Sequence, residues 1–189
     1  MSGGTTYARA RVSEVVGSSA RALLWSGAVG AAVGALLPLQ VHALREPRAV
    51  IGGAVLLLLA ALPAALHKSR WIAARAGEAE RAGLAVTLEP PALTRQRMRR
   101  RNVLPGLAVV LVAGVSGLAA GPALGLLVLG LGLGTAFRAW RIGRQDRAAG
   151  RALWCAVADG RLLLTRRARL SGFTVTGPAA GTVRPLVRR

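Results

Sequence analysis

The chain's 189 residues carry 26 Lys and Arg against 7 Asp and Glu, a formal charge of +19, yet 53% of them are hydrophobic and the mean hydropathy is +0.46. The single cysteine, Cys155, excludes an intrachain disulfide, and the two histidines, His42 and His67, stand in no Cys/His/Asp/Glu cluster with metal-ligand spacing. Composition therefore predicts no cofactor, no metal site and no catalytic residue. A basic excess of this size has three usual causes: nucleic acid, anionic lipid, or orientation signals beside transmembrane helices. Here the arginines are excluded from long Ala/Leu/Val/Gly runs and crowd the ends of those runs, without interleaved aromatics. That distribution disfavours nucleic acid and favours the other two.

In chain order, residues 1–21 form a basic cytoplasmic segment with Arg9, Arg11 and Arg21. Two apolar runs follow, Ala22 to about Val41 and Ala49 to Leu66, parted by the polar "HALREPR". Each is long enough to cross the hydrocarbon as a helix at about 1.5 Å per residue, so 22–67 reads as a transmembrane hairpin. With "VHA" at 41–43, the opening is similar to a secretory signal and its cleavage site. Its apolar run exceeds the roughly 7–15 residues of a signal's apolar core, however, and further spans follow, so a retained helix is expected.

Residues 68–102 are a second basic segment, ending in "LTRQRMRRRN" at 93–102. The uncharged run from Asn102 to Phe137 would measure about 50 Å as one helix, too long for one crossing. Gly121-Pro122 is a turn dipeptide that divides it, since glycine tolerates positive φ and proline suits a helix start. Residues 103–137 therefore read as a second hairpin. Arg99, Arg100 and Arg101 precede it and Arg138, Arg141 and Arg144 follow it. Positive residues beside spans stay cytoplasmic, and a hairpin keeps both clusters there. In this layout Arg45 and Arg48 alone lie outside, leaving 24 of the 26 Lys and Arg inside. The predicted fold class is an all-α integral membrane protein of the bacterial inner membrane. It has four transmembrane helices as two hairpins, both termini cytoplasmic, and a small β-rich C-terminal tail.

Several residues carry site expectations. Trp71 and Trp140 follow the two hairpins at the depth where an amphipathic indole anchors to the interface. Arg95, Arg97, Arg99, Arg100 and Arg101 are expected to contact anionic lipid headgroups or a protein partner, at about 1 kcal/mol per arginine near a charged leaflet. Small residues recur at four-residue spacing as Ser26, Gly30 and Gly34, as Ala113, Gly117 and Gly121, and as Gly130 and Gly134. Such rows let helices approach closely, within one chain or in a homo-oligomer. No ionisable side chain sits in the middle of a span, which argues against an ion-coupled transporter but not against a passive oligomeric pore. The seven acids form no constellation for acid–base work; Glu78 and Glu80, two apart, diverge on a helix.

The tail, 138–189, changes period. "ALWCAVA" and "RLLLT" flank Asp159-Gly160, a strong short hairpin signal, "LSGFTVT" reads as a third strand and "TVRPLV" as a fourth. So small a sheet needs a cover, from the juxtamembrane helix, another chain or the membrane surface.

Two resemblances bear on function. "GVSG" at 114–117 resembles the nucleophile motif of rhomboid intramembrane proteases, which implies a serine and a histidine base on facing helices. Histidine is missing after His67, and four spans are expected where that family has at least six, so Ser116 is read as a packing residue. The junction and "WCAVADGRLLLTRRARLSGFTVTGPAAGTV" resemble the opening of bacterial membrane-anchored pleckstrin-homology-like domains, over about forty residues and without the rest of the domain or its closing helix. That likeness implies a scaffold or partner-binding role and no catalytic residue.

Overall fold

The computed structural model describes residues 9–36, 47–66, 76–77, 79–82, 88–120, 122–157 and 170–177. Four long helices and a small sheet account for most of them. In chain order they are β1 (Arg9–Arg11), α1 (Val12–Leu36), α2 (Pro47–Leu66), β2 (Glu80–Arg81), α3 (Pro91–Ala120), α4 (Ala123–Ala148), β3 (Ala152–Val157) and β4 (Leu170–Thr176). A helix lies on each of the four expected apolar runs, α1 being described as far as Leu36, and several start earlier or end later than those runs. α1 begins ten residues before Ala22, α3 begins at Pro91, and α4 continues to Ala148. For α3 and α4 the reason is local: Arg, Gln, Met and Ala are good helix formers, so those basic flanks extend the helices instead of ending them, whereas the added turns of α1, "VSEVVGSSAR", are held by burial of Val12, Val16 and Ala20. Proline at the first helical position of α3 forfeits no needed donor.

Among the described residues, two helices, Val12–Leu36 and Ala123–Ala148, are long and apolar enough to cross a bilayer, where the sequence led us to expect four. α2 contributes the shorter apolar stretch Ile51–Leu66, and α3 opens on about three turns that carry Arg95, Arg97, Arg99, Arg100 and Arg101 before its apolar part.

The helices do not pack as two sequence-adjacent hairpins. α1 and α4 form the centre, α3 lies against α1, and α2 lies against α4. Small residues set these pairs. A Cβ added to Gly27 would fall 2.6 Å from the Leu129 Cα, and one on Gly132 would fall 2.8 Å from the Leu24 nitrogen, so α1 and α4 run antiparallel with backbones nearly touching. Gly53 opposes Leu126 and Gly134 opposes Ala61 and Ala64, which makes α2 and α4 parallel. Gly106 faces Ser26 and Gly30 faces Ala113, which makes α1 and α3 parallel. Without hydrophobic drive inside lipid, such close backbone contact is what holds helices together. The directions place the starts of α1 and α3 and the ends of α2 and α4 at one pole.

The sheet caps that pole. Its order is β1-β3-β4-β2, with β1–β3 and β3–β4 antiparallel and the two-residue β2 parallel to β4. Strand β1 was not legible in the sequence. β3 has β1 on one edge and β4 on the other over Trp154 to Ala156. "LSGFTVT" is a strand as expected, whereas "RLLLT", the Asp159-Gly160 turn and "TVRPLV" lie outside the described residues. The cover that the sheet needs comes from the helix ends: Val12, Val16 and Ile142 bury Leu153, Cys155 and Val175 in one core. α4 turns into β3 within three residues because Gly150 takes φ 59°, and its helix end is closed by N–H bonds from Gly150 to the Arg147 carbonyl and from Arg151 to the Asp146 carbonyl. Asp146 Oδ2 then accepts from the Leu153 N–H at 3.5 Å and lies 3.9 Å from the Arg11 Nε. Trp154 Nε1 donates to Thr176 Oγ1 at 2.7 Å, tying β3 to β4.

Cys155 is fully buried in this core, with its Sγ 3.7 Å from the Ala10 carbonyl oxygen. Burial pushes its thiol up to about 12, against a smaller opposing pull from the Arg9 guanidinium. Alkylation needs the thiolate. Iodoacetamide at pH 8 is therefore expected to react with the folded protein at least about a hundredfold more slowly than with denatured protein, as mass spectrometry of the adduct would read. Equal rates would mean the sheet core is open.

Candidate functional site: a groove between the first and third helices

Strand β1 positions both helices that form the site. α1 follows Arg11 without a linker. On the other side, the Glu89 N–H donates to the Arg9 carbonyl at 2.9 Å, Leu88 bridges to Arg9, and α3 starts two residues later. The two helices thus leave the sheet side by side and in the same direction. Farther along they close up where residues are small: a Cβ on Gly106 would sit 3.1 Å from Ser26 Oγ, and one on Gly30 would sit 2.7 Å from the Ala113 Cβ. Nearer the sheet the facing side chains are long, and a groove of about 790 Å³ opens.

The groove is polar at one end and apolar along the rest. Ser18 and Arg21 of α1 and Arg95, Gln96, Arg99 and Asn102 of α3 line the end nearer the sheet. Trp25, Val29, Val103, Leu107 and Val110 line the remainder. Glu14, one turn below, bridges the two helices: its Oε2 lies 3.3 Å from Arg95 Nε and 3.9 Å from Arg21 Nη2. Glu14 thus pairs with two guanidinium groups, and with Arg99 also lining the groove the polar end keeps a positive balance.

This geometry divides the cluster expected as one basic patch. At 3.6 residues per turn, Arg95 and Arg99 share the face turned to α1, and Arg97, Arg100 and Arg101 point elsewhere. Arg97 Nη1 pairs with Glu89 Oε2 at 4.0 Å, and Arg100 is exposed. Trp140 is half exposed, its ring centroid 5.5 Å from that of Phe137 and with the Arg144 guanidinium carbon 5.5 Å above it. Trp71 lies outside the described residues, as does Gly121. Of the small-residue rows, Ser26, Gly30 and Ala113 meet between α1 and α3, Gly34 is buried on α1, and Gly130 and Gly134 receive α2; Gly117 lies near the end of α3. Ser116 Oγ donates to the Ala113 carbonyl at 3.1 Å, a back-bond within its own helix.

Among the residues that escaped the sequence reading as site residues are Arg21 and Trp25 in the groove and Glu14 below it. A signal for two of them exists in hindsight, since Arg21 and Trp25 are four apart and so share a helix face at a run's boundary. No group of three or more His, Cys, Asp or Glu that could hold a metal ion occurs among the described residues. No family model, curated protein or solved structure matches the chain.

Proposed function

We propose that the chain is a non-enzymatic multi-pass protein of the bacterial cytoplasmic membrane, a scaffold or accessory subunit whose basic cytoplasmic face contacts anionic headgroups or a protein partner. In this reading all four helices cross the bilayer, alternating in direction along the chain while α1 and α4 form the central pair, and the sheet and both termini are cytoplasmic. The observation that carries it is the outward apolar surface. Large apolar side chains stand exposed on every described helix, among them Leu36 at 79%, Leu66 at 64%, Leu104 at 78% and Leu111 at 67%. A water-soluble protein rarely leaves so extensive a surface uncovered, and lipid covers it without further structure. The helix directions support the topology as well, because they gather the arginine-rich ends at the sheet pole, in the sense of the positive-inside rule. The likeness of the tail to pleckstrin-homology-like domains adds the proposal that the sheet is the partner-binding part.

A second reading is a small oligomeric channel or transporter subunit; Gly27, Gly30, Gly130 and Gly134 already receive helices of the same chain, so such an assembly would form through the exposed apolar surface, as at Gly52, where nothing lies within 4 Å. One measurement tests both readings and a second separates them. After carbonate washing of membranes the protein is expected in the pellet, and recovery in the supernatant would overturn both. In liposomes the purified protein is expected to carry no solute flux above empty vesicles; sustained flux would replace the scaffold reading with the channel.

A further inference from the structure

We infer that the groove between α1 and α3 is a site for one anionic glycerophospholipid of the cytoplasmic leaflet, with its phosphodiester on Arg21, Arg95 and Arg99 and an acyl chain along Trp25, Val29, Leu107 and Val110. The inference rests on the membrane reading and adds to it a defined ligand and a defined place.

The groove's chemistry is graded in the order a phospholipid requires. Guanidinium groups suit a phosphate because their planar N–H pairs match two of its oxygens, and three of them converge here from two helices. Ser18, Gln96 and Asn102 add neutral donors and acceptors at the same end, where the ester and glycerol oxygens of a lipid would lie. One to three turns farther along, away from the sheet, the lining becomes apolar, and a small soluble anion would leave that length unused. From Arg95 to Val110 the helix rises about 22 Å, which accommodates an extended chain as well as a headgroup. The groove's volume, about 790 Å³, lies within the range of specific small-molecule sites. Its depth is also suitable: Arg21 and Arg99 lie where the basic flanks meet the apolar runs, at the level of headgroups. Glu14 fixes Arg95 and Arg21 in place before a lipid arrives, so less side-chain freedom is lost on binding. A partner helix would meet charge along a stripe rather than at one end, which is why a lipid fits this surface better.

The test uses full-length protein extracted from membranes in a neutral detergent and titrated in native mass spectrometry. The probes are phosphatidylglycerol, phosphatidylcholine with the same chains, and glycerol phosphate, which has the headgroup chemistry and no chain. One phosphatidylglycerol per chain is expected, at about tenfold preference or more over phosphatidylcholine, with no glycerol phosphate retained. Combined Arg21→Gln, Arg95→Gln and Arg99→Gln should lower phosphatidylglycerol binding by about tenfold or more. The same charge removed elsewhere, as Arg141→Gln, Arg144→Gln and Arg147→Gln, should leave that bound lipid in place. Circular dichroism confirms that both variants are helical. Leu107→Asn with Val110→Asn should also lower lipid binding, through the chain and not the phosphate. Equal losses from the two arginine triples, retention of glycerol phosphate alone, or no preference between lipids would overturn the site. A protein firmly in washed membranes that retains no phosphatidylglycerol also overturns it while leaving the membrane reading intact; a protein absent from membranes defeats the reading beneath it.

Discussion

Gly27→Leu is expected to lower the melting temperature in detergent by about 6–12 °C, an effect of about 3 kcal/mol or more, and Gly52→Leu is expected to leave it nearly unchanged. Both glycines lie on apolar helices, so a purely compositional view assigns them the same tolerance. Their surroundings differ. A Cβ on Gly27 would lie 2.6 Å from the Leu129 Cα and 2.9 Å from the Val128 carbonyl carbon, and a backbone cannot move aside as a side-chain tip can. α1 and α4 would have to separate along the central contact of the bundle. A Cβ on Gly52 meets nothing within 4 Å, so Leu there points into open space and adds apolar surface where lipid is proposed to lie. Thermal unfolding followed by circular dichroism on both variants checks the pair. Equal melting temperatures would mean that α1 and α4 do not cross at Gly27.

Val12→Asp is expected to open the sheet module, at a cost of several kcal/mol, and to make the tail after Ala148 sensitive to protease. Val12 is fully buried at the point where β1 becomes α1, among Val16, Ile142, Leu153, Cys155 and Val175. Its replacement loses about 1.5–3 kcal/mol of apolar burial and adds a carboxylate without an arranged partner, which costs more still. The helices beyond should keep their pairing, since their contacts lie farther from the sheet. Limited trypsin digestion is the readout: cleavage after Arg11 and Arg151, at the sheet strands β1 and β3, should be early in the variant and late in the parent. Equal digestion would show that the sheet does not depend on this core. The expected rise in Cys155 alkylation in the same variant gives a second, independent signal.

How far the sequence carries is clearest from particular residues. The four helices were legible because twenty-residue Ala/Leu/Val/Gly runs leave little alternative, and "LSGFTVT" was legible because it alternates. The helix starts were not: the arginines that mark a boundary in lipid are good helix formers, so α3 passes through Arg95–Arg101 without a break. Strand β1 is three residues long, "RAR", too short for any periodic signal, and exists because β3 offers it an edge. Partner choice among helices was also hidden. The four-residue row Ser26, Gly30 and Gly34 reads as one packing face, while "SGAVGAAVGA" carries two: Ser26 and Gly30 face α3, and Gly27 and Ala31 face α4. Finally, five arginines close in sequence read as one patch, and the winding of α3 gives Arg95 and Arg99 to the groove and the others to different surroundings. In each case the missing information was which face of a helix meets which neighbour, a long-range property that short windows do not contain.

The proposed topology turns on the basic pole facing the cytoplasm. Single cysteines in a Cys155→Ala background, probed in intact cells with a membrane-impermeant maleimide, test this directly. Glu46→Cys, between α1 and α2, is predicted to label in intact cells, and Arg100→Cys and Arg151→Cys, both exposed at the sheet pole, to label only after permeabilisation. Labelling of Arg100→Cys or Arg151→Cys from outside intact cells would contradict the account.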